Sequence, residues 1–192
     1  MSEDRWQDRL EIAALLTGWI YRDLVDWDKL RDLFHPDGTI AVTWFEGLAS
    51  EFVNRSMEMG RSDLRSKHFI ASPLVNFSGA RAIVETNAMI VCDNAKLNLG
   101  ATAHNRFYDQ VEKRKGVWKI VSRQSIYDFG HFNFYDGVVA IDNKVLEIYP
   151  REYASLAYLL EKSGFPLKRL FATKGSYLEE SMKANGQAWL RG

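Results

Sequence analysis

The chain has 192 residues with 25 basic and 25 acidic side chains, and 46% of its residues are hydrophobic. The balanced charge argues against a nucleic-acid partner, and the composition is typical of one globular protein rather than a disordered chain. No apolar run approaches the roughly 20 residues of a membrane-spanning helix, and the charged start MSEDRWQDRLE is unlike a signal peptide. The single cysteine, Cys92, forms no internal disulfide. We expect a cytoplasmic protein with no nucleic-acid or membrane partner.

The first part of the chain carries a helical pattern. Apolar residues recur at three- and four-residue spacing from Asp4 to about Leu24, which predicts an amphipathic helix whose apolar stripe includes Trp6 and Leu10. Asp26 is well placed to cap a short second helix over 27–34.

Strand-like runs dominate the middle of the chain. After the breaker HPDG at 35–38, a strand is predicted over 39–45 and a third helix over about 49–59. Turn signals then separate four β-prone runs, which predict an antiparallel meander: 67–77, 81–92, 97–113 and 117–129. Helices followed by a curved antiparallel sheet form an α+β pattern in which the helices cover one sheet face.

The segment after residue 134 has a different pattern. Residues 132–144 predict a loop or an extra strand, and helices are predicted at about 151–162 and 176–190. We therefore expect a domain over 1–134 and a helical extension over 135–192. Two positions remain open for this extension: over the open end of the sheet, or against a neighbouring subunit.

Four histidines are the main candidates for chemistry, because the chain has no glycine-rich phosphate loop, nucleophile elbow or metal-spaced His and Cys cluster. His35 lies in a turn and His131 among phenylalanines, so exposure and packing are their simpler interpretations. His68 and His104 each begin or lie inside a β-prone run. A buried histidine is more often structural than catalytic, so the residues alone leave both interpretations open.

Three short motifs carry a family resemblance. DWD at 26–28 follows Asp23, KHFI contains His68, and GVWK at 116–119 leads without a gap into FGHFNF at 129–134. The set resembles the SnoaL-like branch of the nuclear transport factor 2-like superfamily, and within it scytalone dehydratases and gamma-hexachlorocyclohexane dehydrochlorinases. The resemblance implies a cone-shaped α+β fold with about five or six strands. It also implies that Asp23 and His68 are catalytic and that the protein forms a homodimer or homotrimer.

The departures from that resemblance concern the substrate. Scytalone dehydratases have Tyr where this chain has Arg22, a second active-site His near Cys92, and Ser and Asn at the positions of Asn105 and Phe107. Scytalone itself is therefore not the expected substrate. Dehydrochlorinases have an Arg at the position of Arg123, which implies a catalytic clamp for an anion or a carbonyl oxygen. A surface Arg on the outer sheet face is the alternative.

Strand alternation limits the remaining candidates. If the resemblance holds, Asn105 and Phe107 face the pocket and His104 faces outward, unless a bulge reverses them. On the last strand the same rule gives two faces: Arg123, Ser125 and Tyr127 on one, and Trp118, Ile120 and Ile126 on the other. The predicted pocket suits a fused-ring or aromatic ligand, although each aromatic in it could be ordinary core: Tyr21, Arg22, Trp44, Phe69, Cys92, Asn105, Phe107 and Tyr127.

The predicted Asp23 and His68 pair has a clear chemical meaning. A carboxylate against one ring nitrogen fixes the histidine tautomer, and the other nitrogen can then accept a proton as a general base. Such a base takes a proton from carbon with an acceleration of about 10²- to 10⁴-fold, and it requires no metal or organic cofactor.

Three functions from different classes stay open. The first is a cofactor-independent lyase, of dehydratase or dehydrohalogenase type, acting on a small hydrophobic cyclic or aromatic substrate. The second is a ketosteroid isomerase-like or polyketide cyclase-like enzyme that uses the same pair. The third is a non-catalytic small subunit of a ring-hydroxylating dioxygenase, which would need no buried Asp facing a His.

Overall fold

Three short helices open the part of the chain that the computed structural model describes, residues 5–192. They are α1 (Trp6–Thr17), α2 (Ile20–Asp23) and α3 (Trp27–Asp32). The Asp26 side chain caps α3 by accepting a hydrogen bond from the Lys29 backbone N–H at 3.3 Å, as predicted. The helix start predicted at Asp4 lies outside the described residues.

The single helix predicted as far as Leu24 is divided at Gly18. The backbone N–H groups of Gly18 and Trp19 bond to carbonyls three residues back, at 3.2 and 3.1 Å, so the helix tightens there. A Cβ at Gly18 would lie 2.6 Å from Leu33 Cδ2. Glycine therefore allows the end of α1 to approach the end of α3 closely.

The predicted apolar stripe of this first helix is wrong. Trp6 and Leu10 are 64% and 52% exposed, whereas Ile12, Leu16 and Trp19 are buried. Apolar residues occur on both sides of α1, so their spacing alone does not determine which side faces the core.

Within residues 5–192, eight strands form one sheet that makes up the body of the fold. The strands are β1 (Phe34–Val42), β2 (Phe45–Leu48), β3 (Leu64–Ile70), β4 (Leu74–Ser78), β5 (Arg81–Asn94), β6 (Leu99–Arg114), β7 (Val117–Asn133) and β8 (Ala172–Thr173). Their order is β2-β1-β7-β6-β5-β3, with β4 beside β5 and β8 beside β7. β7 pairs in parallel with β1 and β8, and the other pairs are antiparallel. The curled sheet with its N-terminal helices confirms the predicted α+β class.

Two of the predicted strands are divided differently in the structure. The run predicted over 67–77 forms both β3 and β4, which pair with opposite halves of β5 on either side of Pro73. Proline has no N–H to donate to a ladder, so the break falls there. The strand predicted over 39–45 begins earlier, at Phe34, and its register with β7 shifts between Phe34 and Thr39.

Helices cover both faces of the sheet. The inner face, which carries Phe107 and Tyr127, packs against α1 to α3, α4 (Ala49–Met59) and α6 (Ala154–Lys162). Seven consecutive residues of α6 are buried, so this helix is embedded on nearly every side. The short α5 (Asn143–Leu146) packs beside α6, and α7 (Tyr177–Arg191) covers part of the outer face.

An ion-pair network fastens α7 to the outer face. The Arg106 guanidinium on β6 binds Glu85 on β5, Asp128 on β7 and Glu179 on α7. A Cβ at Gly186 would lie 2.3 Å from the Tyr108 hydroxyl oxygen. A glycine at that position therefore lets α7 approach β6 closely.

Two bulges in β7 change which side chains share a face. The register with β6 shifts between Gln110 and Val111 and between His104 and Asn105, so Val121 and Asp128 are extra residues. Trp118 and Ile120 were predicted to lie on the sheet face opposite to that of Arg123. This is wrong, because the bulge at Val121 brings all three side chains to the inner face. Ile126 faces outward, as predicted.

Candidate active site

Asp23 and His68 meet where α2 ends against β3. The Asp23 carboxylate accepts a hydrogen bond from the His68 ring, with Oδ1 2.7 Å from Nδ1, and its Oδ2 accepts one from the His68 backbone N–H at 2.8 Å. The two side chains are only 2% and 7% exposed. Both carboxylate oxygens are therefore occupied by one residue, which fixes the position of the imidazole ring.

The carboxylate also determines which ring nitrogen carries the proton. An ionised carboxylate can only accept, so Nδ1 is the protonated nitrogen and Nε2 keeps a free lone pair. Burial lowers the pKa of His68, and the hydrogen bond that its ring donates to Asp23 opposes this, while Arg22 and Arg123 lower the pKa further. Burial raises the pKa of Asp23, but the His68 hydrogen bonds and Arg22 outweigh it, so the net shift is downward. At neutral pH the pair is a neutral imidazole beside a carboxylate.

An apolar cavity lies in front of His68, between the inner face of the sheet and the helices. About 530 Å³ of space there is free of protein atoms when the open solvent at its mouth is included. The interior is narrow, since the centre of a water molecule can reach only about 40 Å³ of it. Helix α6 contributes Leu156 and Leu160 to the wall. The sequence-predicted residues that line this cavity are Arg22, Trp44, His68, Cys92, Asn105, Phe107 and Tyr127.

Two polar wall positions have defined environments. Burial raises the pKa of the Cys92 thiol to about 12, so this side chain is a neutral wall group rather than a nucleophile. The Tyr127 hydroxyl accepts a hydrogen bond from the Thr43 backbone N–H at 3.2 Å. Burial raises the pKa of Tyr127, so it also stays neutral.

Two predicted pocket residues lie elsewhere. Phe69 is 54% exposed, because it follows His68 on β3 and adjacent strand residues point to opposite faces. Tyr21 packs against the hydrophobic core between the N-terminal helices and the sheet, and it does not line the cavity. His104 faces outward, where its ring stacks on Phe129 at 4.2 Å, and neighbouring Asn105 faces the cavity.

Arg123 matches neither of its predicted alternatives. It is fully buried and does not line the cavity. Its Nε and Nη2 donate to the two carboxylate oxygens of Asp109 at 2.8 and 2.9 Å, and its guanidinium stacks over Phe107 at 4.3 Å. Arg123 thus supports the cavity wall from behind, and the Asp109 carboxylate takes the place of a substrate anion.

Several cavity residues were missed in the sequence. Trp19 and Phe52 form a stacked aromatic wall with ring centroids 5.6 Å apart. Ser66 lies two residues before His68 on the same face of β3, and strand alternation could have identified it. Leu156 and Leu160 could not have been found this way, because only the tertiary packing brings α6 to the cavity.

Comparison with models of known protein families identifies the family of this chain. Residues 4–124 match the SnoaL-like domain family. The match covers more than half of the chain, so the protein belongs to the SnoaL-like domain family. An uncharacterised protein of Aspergillus terreus is 28% identical over 205 residues, covering 94% of this chain and 74% of that protein.

Two solved structures share the fold. A candidate scytalone dehydratase from Novosphingobium aromaticivorans is 16% identical, with a TM-score of 0.60, and the match covers 73% of this chain and 95% of that one. A hexachlorocyclohexane dehydrochlorinase is also 16% identical with a TM-score of 0.60, covering 72% of this chain and 96% of that one. At this identity the likeness establishes the architecture alone.

Two further observations concern other kinds of site. None of the helices in residues 5–192 is both long and apolar enough to span a membrane. The same residues contain no group of three or more His, Cys, Asp or Glu side chains arranged to hold a metal ion.

Proposed function

We propose that this protein is a cofactor-independent lyase, of dehydratase or dehydrohalogenase type, that acts on a small cyclic or aromatic molecule. The observation that carries the proposal is the contact of 2.7 Å between His68 Nδ1 and Asp23 Oδ1 at the wall of an apolar cavity. A neutral imidazole held in one tautomer, with its free nitrogen available to a bound molecule, is the arrangement of a general base.

The reaction begins with proton transfer from carbon to His68 Nε2. The electron pair of the broken C–H bond forms a new π bond, and the bond to the leaving group on the neighbouring carbon breaks. The leaving group departs with the electron pair of the bond that held it to that carbon, either as halide or, after accepting the proton from His68, as water. Asp23 stabilises the imidazolium formed in between, because its carboxylate faces the protonated ring.

The C-terminal segment contributes to the same site in this proposal. Leu156 and Leu160 of α6 form part of the cavity wall. We propose that the extension over 135–192 closes the open end of the domain over 1–134 in the same chain. A closed apolar wall excludes water, and this strengthens the electrostatic interaction between Asp23 and the imidazolium.

Turnover measurements on three variants test this function. Wild type, His68→Ala and Asp23→Asn are compared on a panel of hydroxyketones, halogenated rings and Δ5-ketosteroids, with His104→Ala as the control for a histidine outside the cavity. We expect elimination by wild type and His104→Ala, and loss of turnover in the other two variants. Turnover that is unaffected by His68→Ala would contradict the proposal. Isomerised or cyclised products would reassign the reaction class while retaining the base.

A further inference from the structure

Arg22 is a buried cation whose hydrogen bonds do not go to an anion. The residue is 9% exposed and its side chain lines the cavity. Nη1 donates to Ser66 Oγ at 2.7 Å, and Nη2 donates to Met59 Sδ at 3.4 Å. Within residues 5–192, no carboxylate accepts a hydrogen bond from this guanidinium or forms an ion pair with it. Arg123, which is fully buried, instead donates to both oxygens of Asp109.

The nearest negative charge is already occupied. Asp23 is adjacent to Arg22 in sequence, but both of its oxygens accept hydrogen bonds from His68. A guanidinium stays protonated in proteins, and a buried charge without a hydrogen-bonded counter-ion is costly. Because the Arg22 side chain lines the cavity, a negatively charged group bound there would supply the missing counter-ion.

The hydrogen-bond partners of Arg22 and Asp23 are neighbours on one face of strand β3. Arg22 and Asp23 are consecutive in α2, and their partners Ser66 and His68 are alternate residues on the same face of β3. Side chains two residues apart on a strand are separated by about 7 Å. A C–C=O unit fits between the imidazole and the guanidinium. Its first carbon would lie about 3 Å from Nε2, and its oxygen about 3 Å from the guanidinium.

We propose that Arg22 and Ser66 hold the oxyanion formed when His68 removes a proton from the carbon beside a carbonyl group, so that the substrate is a small cyclic carbonyl compound. This inference rests on the proposed function. The C–H electron pair moves into the new C=C bond, the carbonyl π electrons move onto oxygen, and the proton goes to Nε2. The enolate electrons then return and expel the leaving group from the next carbon, which takes the proton from His68 when it departs as water.

The donors needed for this role are present. Arg22 has five N–H groups, and the contacts to Ser66 and Met59 use two of them. Ser66 accepts from Arg22 through Oγ, so its own O–H can donate into the cavity that it lines. Fixed donors in a site with little water stabilise a developing oxyanion strongly. Charge also balances, because each proton that makes His68 cationic makes the substrate anionic.

Binding of enolate analogues tests the inference without relying on turnover. Fluorinated phenols differ in hydroxyl acidity but little in size, and ¹⁹F NMR reports whether the bound ring is ionised. Affinities are measured by calorimetry for wild type, Arg22→Met, Ser66→Ala and His104→Ala, with fluorobenzene as the neutral analogue. We expect wild type to bind the phenolate form. Arg22→Met should weaken the affinity for phenolate about 10- to 100-fold, and Ser66→Ala should weaken it by a smaller factor. The affinity for fluorobenzene should be almost unchanged in both variants.

The possible outcomes separate the two proposals. Equal phenolate affinity in wild type and Arg22→Met overturns the inference, even where His68→Ala abolishes turnover and the proposed function stands. If phenolate binding depends on Arg22 but turnover is unaffected by His68→Ala, the oxyanion site stands. The assignment of His68 as the base is then rejected. An Arg22-dependent preference for benzoate over phenolate contradicts the enolate assignment, because the site would then be built for a permanent carboxylate. Ser66→Ala removes only a hydroxyl group and serves where Arg22→Met does not fold.

Discussion

Asp23 Oδ1 lies 2.7 Å from His68 Nδ1, and Asp23 Oδ2 lies 2.8 Å from the His68 backbone nitrogen. The two bonds join the end of α2 to β3 and orient the ring within the fold. His68 lines the cavity, and Nε2 is its ring nitrogen without a hydrogen bond within residues 5–192. Asp23 raises the pKa of His68, whereas burial, Arg22 and Arg123 lower it.

The pH dependence of kcat/KM follows from this balance. The net effect is a pKa of His68 below its ordinary value of 6.5, so the neutral base predominates at pH 7. We expect kcat/KM to be level above about pH 6.5 and to fall below it, at the lowered pKa of the free enzyme. The measurement is a pH–rate profile with stability checked at each pH. A main ionisation above pH 7 would contradict this assignment.

Asp23→Asn should lower kcat and move the acid limb in the same experiment. Asn can accept from the backbone N–H of His68, but its amide cannot replace the negative charge that stabilises the imidazolium. We expect kcat to fall about 10²-fold or more. Because Asp23 raises the pKa of His68, its removal should shift the acid limb to lower pH. An acid limb that moves to higher pH would be inconsistent with the pair described here.

The buried Arg123 and Asp109 pair should matter more for stability than for substrate binding. Asp109→Asn leaves an uncompensated buried guanidinium, and we expect the free energy of unfolding to fall by about 3–5 kcal/mol. Replacing both residues in Arg123→Met with Asp109→Leu removes the stranded charge and should recover most of that loss. Chemical denaturation of the three proteins measures this. A double variant less stable than Asp109→Asn would contradict the argument.

The attachment of α7 should depend on Glu179. Burial raises its pKa, but Arg106, Lys183 and the Gly175 N–H together lower it to about 2. Since the pKa is 4.5 in the unfolded chain, the stabilisation is complete above that pH and is lost as the pH falls toward 2. Glu179→Gln should cost about 2 kcal/mol at pH 7. The control is Glu180→Gln, a substitution at an exposed position of the same helix. Equal stability of the two variants would contradict the role assigned to Glu179.

The motifs DWD and KHFI led to the expectation that Asp23 and His68 form a catalytic pair, and the two side chains are hydrogen-bonded in the structure. Sequence reasoning misplaced Phe69, which alternation from His68 already directs outward. Trp118 was misassigned because a bulge at Val121 leaves no local sequence signal. Asp109 lies directly opposite Arg123 in the strand register, a relationship that appears only when β6 and β7 are paired. Pairing across a sheet and the position of α6 depend on tertiary structure, which one sequence does not encode locally.

Deuterium exchange tests the central claim, that His68 takes a proton from carbon, most directly. Cyclic ketones without a leaving group are incubated in D₂O with wild type, His68→Ala and the control His104→Ala, and ¹H NMR follows loss of the signal beside the carbonyl. We expect wild type and His104→Ala to exchange at equal rates well above the buffer rate, with His68→Ala about 10²- to 10⁴-fold slower. Exchange that is as fast in His68→Ala as in wild type would contradict the account.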